Sequence, residues 1–100
     1  MIRHIVLWTF KESAGGAEKQ ENIAKAFEKL VKLKDSIQEI KFLECGKNFT
    51  MSADSFDLAL VCEFENVTDL EKYQVHPAHL EVVKWLHTVR ELRVVADYEI

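Results

Sequence analysis

The stretch Ile2-Arg3-His4-Ile5-Val6-Leu7-Trp8-Thr9-Phe10 is rich in β-branched and aromatic residues, side chains that suit a pleated, half-buried surface. At a period of two, Ile2, His4, Val6, Trp8 and Phe10 share one face, and Ile5 and Leu7 lie on the other. A strand apolar on both faces needs cover on both faces, so this segment predicts a central strand of a sheet. The remaining chain has to supply its neighbours and something to cover each side.

Working outward, Ser13-Ala14-Gly15-Gly16 reads as a loop. Beyond it Ile23, Phe27, Leu30, Val31 and Lys34 recur at helical spacing among charged residues, which predicts an amphipathic helix of about eighteen residues. From Ser36 to Asn48 the pattern turns extended, with Ile40 and Phe42 on one side and Ile37, Leu43 and Cys45 on the other, among charges that suit an edge strand. After a polar loop, Phe56, Leu58, Leu60, Cys62 and Phe64 alternate with Asp57, Ala59, Val61, Glu63 and Glu65 as a third strand. Asn66 or Thr68 is placed to cap a short helical turn, Thr68 to Tyr73. Pro77 then starts a helix, because proline suits the first helical position and drives His76 out of helical geometry. His79, Val82, Val83, Leu86 and Val89 mark one face of that helix, and Leu92 to Ile100 alternates as a last strand.

The string βαββ(α)αβ, with right-handed crossovers, predicts an α+β fold of ferredoxin-like type: a four-stranded antiparallel sheet with both helices on one face. The second face keeps apolar side chains, among them Ala59, Val61, Val95 and Leu43. Chain length makes that face harder to leave bare. For 11.6 kDa, area scaling gives a folded surface of roughly 5,900 Å² against about 16,800 Å² unfolded, which is marginal burial for a lone domain. A second copy laid sheet against sheet would cover both, so the expectation is a homodimer forming a dimeric α+β barrel.

The formal charge of −4 argues against phosphate-backbone binding. No nucleic acid partner is expected. Three glycines and one proline in 100 residues leave no room for a disordered or linker-rich chain. Cys45 and Cys62 belong to no CxxC or zinc-finger spacing, which points to reduced thiols in a cytoplasm. The apolar start is too short to span a bilayer and is followed by no cleavage site, so no membrane association is expected.

The four histidines are not equivalent. His87 lies one residue off the apolar stripe of the last helix and reads as a boundary residue. His4 sits on the face of the first strand that carries Val6 and Trp8, where an imidazole must find hydrogen-bond partners. His79 falls in the first turn of the last helix, on its apolar stripe. A helix N-terminus favours neutral imidazole, which suits a general base in a water-poor pocket. Tyr73 and His76 flank the same kink, so a phenol and two imidazoles could converge on one opening. Tyr–His pairs divide enolisation between them, the phenol polarising a carbonyl while the imidazole takes an α-proton. The plainer alternative is that these residues only cap and pack. No phosphate loop, His-Glu-x-x-His helix or calcium loop is present. His76-x-x-His79 straddles a proline, so no metal site and no cofactor is assigned.

The opening Ile2 to Lys11 segment, Asp57-Leu58-Ala59-Leu60, Tyr73-Gln74-Val75-His76-Pro77-Ala78-His79 and Val95-Ala96-Asp97-Tyr98-Glu99 together resemble the stress-responsive dimeric α/β-barrel (Dabb) family, essentially end to end. The resemblance implies a homodimer of ferredoxin-like subunits. One plant branch, typified by olivetolic acid cyclase, performs a cofactor-free intramolecular aldol condensation. By that resemblance His79 would abstract an α-proton, Tyr73 would orient the substrate carbonyl, and His4 would line the pocket. Trp8 should shorten any tunnel for a long acyl chain. The resulting expectation is one Dabb domain over residues 1–100, a cytoplasmic homodimer binding a small, partly apolar ligand among His4, Val6, Trp8, Tyr73, His76 and His79. The alternatives are a cofactor-free cyclase, lyase or isomerase acting on β-keto or aromatic substrates through Tyr73 and His79, and a purely structural dimerising module.

Overall fold

In the computed structural model, which describes residues 1–100, the opening segment forms β1 (Ile2–Phe10), with a strand on either side. Its burial alternates residue by residue, with Ile2, His4, Val6, Trp8 and Phe10 the buried set. The chain then turns back as a two-residue-per-arm hairpin, β2 (Ser13–Ala14) and β3 (Ala17–Glu18). Gly15 and Gly16 sit at φ +60° and +79°, the paired left-handed conformation that a two-residue hairpin turn demands and that glycine adopts without strain. The predicted loop is therefore a tight hairpin, and the glycine pair was its signal.

The predicted single helix is two pieces, α1 (Lys19–Val31) and α2 (Leu33–Ser36), joined at Lys32. Asn22, Ile23, Ala26, Leu30 and Leu33 carry the burial in place of Val31 and Lys34. The predicted edge strand is shorter than its apolar pattern, for β4 covers only Phe42–Lys47. Ile37 and Ile40 precede it in a turn, where Ile40 N–H donates to the Ile37 carbonyl at 3.2 Å, and both are sealed in the core. Two apolar residues three apart were read as strand when a turn was pointing both inward. β5 (Leu58–Phe64) keeps the expected alternation. α3 (Val67–Val75), α4 (Pro77–Val89) and β6 (Arg90–Glu99) follow.

The sheet order is β4-β5-β1-β6, antiparallel throughout, so the fold is ferredoxin-like. Register decides which side chains share a face. His4 lies opposite Cys62 and Asp97, Val6 opposite Leu60 and Val95, and Trp8 opposite Leu58 and Arg93. Leu43 and Cys45 pair with Cys62 and Leu60. Leu43 and Val95 therefore lie on the helix-covered face, not on the open one as expected. The open face is carried instead by Ile5, Leu7, Ala59, Val61, Val94 and Ala96, and an Arg3–Glu63 ion pair at 2.9 Å lies on it. Asp57 is not a surface charge of that face. Its carboxylate accepts from Phe10 N–H at 2.8 Å, and its own N–H donates to the Trp8 carbonyl at 2.8 Å, tying down the end of β1. No helix is long and apolar enough to cross a membrane.

Candidate functional site

The break between α3 and α4 builds the site. Asn66 accepts from Asp69 N–H at 2.9 Å and fixes the start of α3. Pro77 forces His76 into an extended conformation, φ −64° and ψ 134°, and the helix restarts one residue later. That single-residue joint sets Tyr73, from the end of one helix, against His79, from the start of the next. Their ring centroids are 4.2 Å apart at an interplanar angle of 40°. His4, rising from β1, meets Tyr73 edge-on at 5.8 Å, and Phe64 backs the phenol at 5.0 Å.

These rings wall a cavity of about 290 Å³ between β1, β6, α3 and α4. His4, Val6 and Trp8 of β1, Val82, Val83 and Leu86 of α4, and Tyr73 and His79 from the two sides of the joint all line it. Arg90, Arg93 and His87 also line it. The structure thus brings together five of the six residues singled out from the sequence. His76 is the exception. Its Nδ1 accepts from Ala78 N–H at 3.1 Å and caps α4, and the residue is no part of the cavity wall. The two imidazoles that converge with the phenol are His79 and His4.

Hydrogen bonds set the state of both. His79 Nδ1 lies 3.1 Å from the Gln74 carbonyl. A carbonyl only accepts, so Nδ1 carries the hydrogen and Nε2 keeps its lone pair when the ring is neutral. Burial, and to a lesser degree the neighbouring His4, Arg93 and His76, hold the His79 pKa below its usual 6.5, against the opposing pull of the Gln74 carbonyl. Near neutral pH the ring is an unprotonated base. His4 is almost fully buried and directs Nδ1 at Asp97 Oδ1, 2.5 Å away. Burial drives the Tyr73 pKa far above its ordinary value, so its phenol stays protonated and is available as a donor. Trp8 Nε1 is the one side-chain polar atom sealed from solvent with no partner.

Arg93, Arg90, Asp97 and the Gln74 carbonyl were not singled out from the sequence. For Arg93 and Asp97 a signal existed, because they are four apart in a strand and so must share a face. For Gln74 there was none, since the contribution is a backbone atom. The side chains form no cluster of three or more His, Cys, Asp or Glu suited to a metal ion. Burial pushes the thiols up to about 11 at Cys45 and about 12 at Cys62, so neither is a nucleophile near neutral pH.

An uncharacterised protein of Streptomyces coelicolor is 32% identical over 99% of this chain and 99% of its own length. Among solved structures, a dimeric protein of unknown function and ferredoxin-like fold from Bacteroides fragilis superposes with a TM-score of 0.86 at 30% identity, covering 99% of this chain and 95% of that one. A hydroxynitrile lyase from Passiflora edulis superposes at 0.84 with 26% identity, over 99% and 92% of the two chains. The profile of the stress responsive A/B barrel domain (Dabb) matches residues 2–100. With that match spanning all but the first residue and a relative aligned along its whole length, this chain belongs to the Dabb family.

Proposed function

We propose that the protein binds a small, partly apolar molecule in the cavity between α4 and the β1–β6 edge of the sheet, as a homodimer in the cytoplasm. One observation carries the binding reading. The cavity is lined mostly by apolar side chains yet holds an unprotonated base at His79 and a protonated phenol at Tyr73. Few convergent polar groups in an apolar cleft are the pattern of a ligand site. At about 290 Å³ the cavity is at the small end of the usual range of about 300–1,000 Å³, which favours a molecule of modest size. The homodimer reading rests on the uncovered apolar row Ile5, Leu7, Ala59, Val61, Val94 and Ala96, and on the similar Bacteroides fragilis protein being dimeric. Sedimentation showing a stable monomer at micromolar concentration would count against it.

A second reading is favoured by the fixed tautomer of His79. With Nδ1–H held by the Gln74 carbonyl, Nε2 is left to take a proton from carbon, while the Tyr73 hydroxyl donates to the adjacent carbonyl oxygen as it gains negative charge. That is cofactor-free lyase, cyclase or isomerase chemistry on a β-keto or aromatic compound. Similarity to a hydroxynitrile lyase fits a scaffold able to host an enzyme. The test is a fluorescence titration with small β-keto and aromatic compounds, since Trp8 lines the cavity, followed by assay of any binder for turnover. Binding that Val83→Trp blocks, with no turnover, selects the first reading; turnover lost in His79→Ala and Tyr73→Phe selects the second. Compounds that bind equally well to the Val83→Trp variant would remove the cavity from both.

A further inference from the structure

The charge around the cavity is one-sided. Acidic residues outnumber lysine and arginine in the chain, 17 to 13, yet no Asp or Glu lines the cavity, whereas Arg90 and Arg93 both do. Asp97, on the same face of β6 as Arg93, is engaged by His4 at 2.5 Å. The chain's ion pairs are Arg3–Glu63, His4–Asp97 and Lys19 with Glu12 and Asp57. Neither cavity arginine is in one. The one side-chain hydrogen bond of Arg90 is to the His87 imidazole, at 3.3 Å, and Arg93 makes no side-chain hydrogen bond. Register places Arg93 opposite Trp8, on the helix-covered face, and both residues line the cavity.

We propose that the ligand is an organic carboxylate, its anionic group held by Arg93 at the mouth and its apolar body lying on Val6, Leu60 and Leu86 toward Tyr73 and His79. The planar guanidinium fork matches a carboxylate in two parallel hydrogen bonds. The field of Arg93 already reaches inward, where it disfavours a charged His79 and favours an ionised Tyr73. The same field would stabilise negative charge on a bound ligand, whether a resting carboxylate or an enolate formed beside His79. A carboxylate at Arg93 and a carbonyl beside Tyr73 and His79 describe an aryl or short-chain keto acid.

This inference rests on the cavity being the binding site, and the experiment separates the two. Benzoylformate, acetoacetate and hexanoate are titrated against their methyl esters by calorimetry at low and high salt. The expected result is at least about tenfold tighter binding of the acid, as one charge-assisted contact commonly provides. Arg93→Gln should abolish that preference, Arg93→Lys should retain part of it, and salt should erode it. Arg93 is largely exposed, so the variants are expected to fold. Acids and esters binding alike, with Val83→Trp blocking both, would overturn the carboxylate assignment and leave the cavity as the site. Acid preference persisting in Arg93→Gln would overturn the role of Arg93. Binding that ignores Val83→Trp, or none for any pair at millimolar concentration, would overturn both proposals together.

Discussion

The two ends of the helix-covered face use the same materials to opposite effect. At the α1–α2 end, Leu33, Ile37 and Ile40 are sealed in the core, each no more than 3% exposed. Under α4, only Leu86 and Val89 are fully buried, and Val82, Val83 and Leu86 all border the cavity. The strand below differs as well. β5 is buried at every second position, while β6 is exposed from end to end apart from Arg90. Where helix and strand close, the protein stores stability. Where they stay apart, side chains keep unspent hydrogen-bonding groups, and those are the ones able to do chemistry or bind.

The sharpest way to break this contrast is to exchange the two properties. If the protein turns over a keto or aromatic substrate, His79→Ala should lower the rate by about 10² to 10⁴, the usual contribution of a positioned base, while shifting the melting temperature by only a few degrees. A matching loss of folding would mean that His79 packs and does nothing else. Ile37→Ala should do the reverse, costing about 2 to 5 kcal/mol by the cavity it leaves, with ligand affinity unchanged. Denaturant titration of that variant beside Val83→Ala sharpens the comparison, because the valine borders open space and its truncation should cost less than about 1 kcal/mol.

The pH dependence follows from the lowered pKa of His79. A neutral base survives as pH falls through 6.5, so the acid limb of activity should lie below that value. A limb at or above 6.5 would falsify the assignment. In the window just under 6.5 the unfolded chain holds a proton that the folded ring refuses, so stability should decline as the pH drops through it. His76→Ala should have only a small effect. It removes the Ala78 cap, costs about 1 kcal/mol, and should leave ligand affinity alone. A large loss of affinity would return His76 to the site.

Much of the fold was legible because its signals are local. The alternation in β1 and β5 and the proline at the start of α4 each act within a few residues, and the structure keeps all of them. Misreadings fell where two periods compete. Ile37 and Ile40 fit a strand and a turn equally until packing chooses, and Val31 or Leu33 can each extend the stripe of α1 until Lys32 breaks it. The candidate site was half legible. Tyr73, His79, His4 and Trp8 could be named from residue type and spacing, but His76 could not be told from His79, because both imidazoles flank one proline.

Residue order and chemistry thus establish the elements, their sequence along the chain and the central place of β1, since each depends on periodicity and on backbone restrictions a few residues wide. Tertiary structure alone decides that His79 exposes Nε2, that Asp97 is spent on His4, and that Arg93 is left unpaired beside the cavity. Those outcomes turn on strand register and on a one-residue joint between helices. Both bring together atoms whose separation in sequence carries no information about their distance in space.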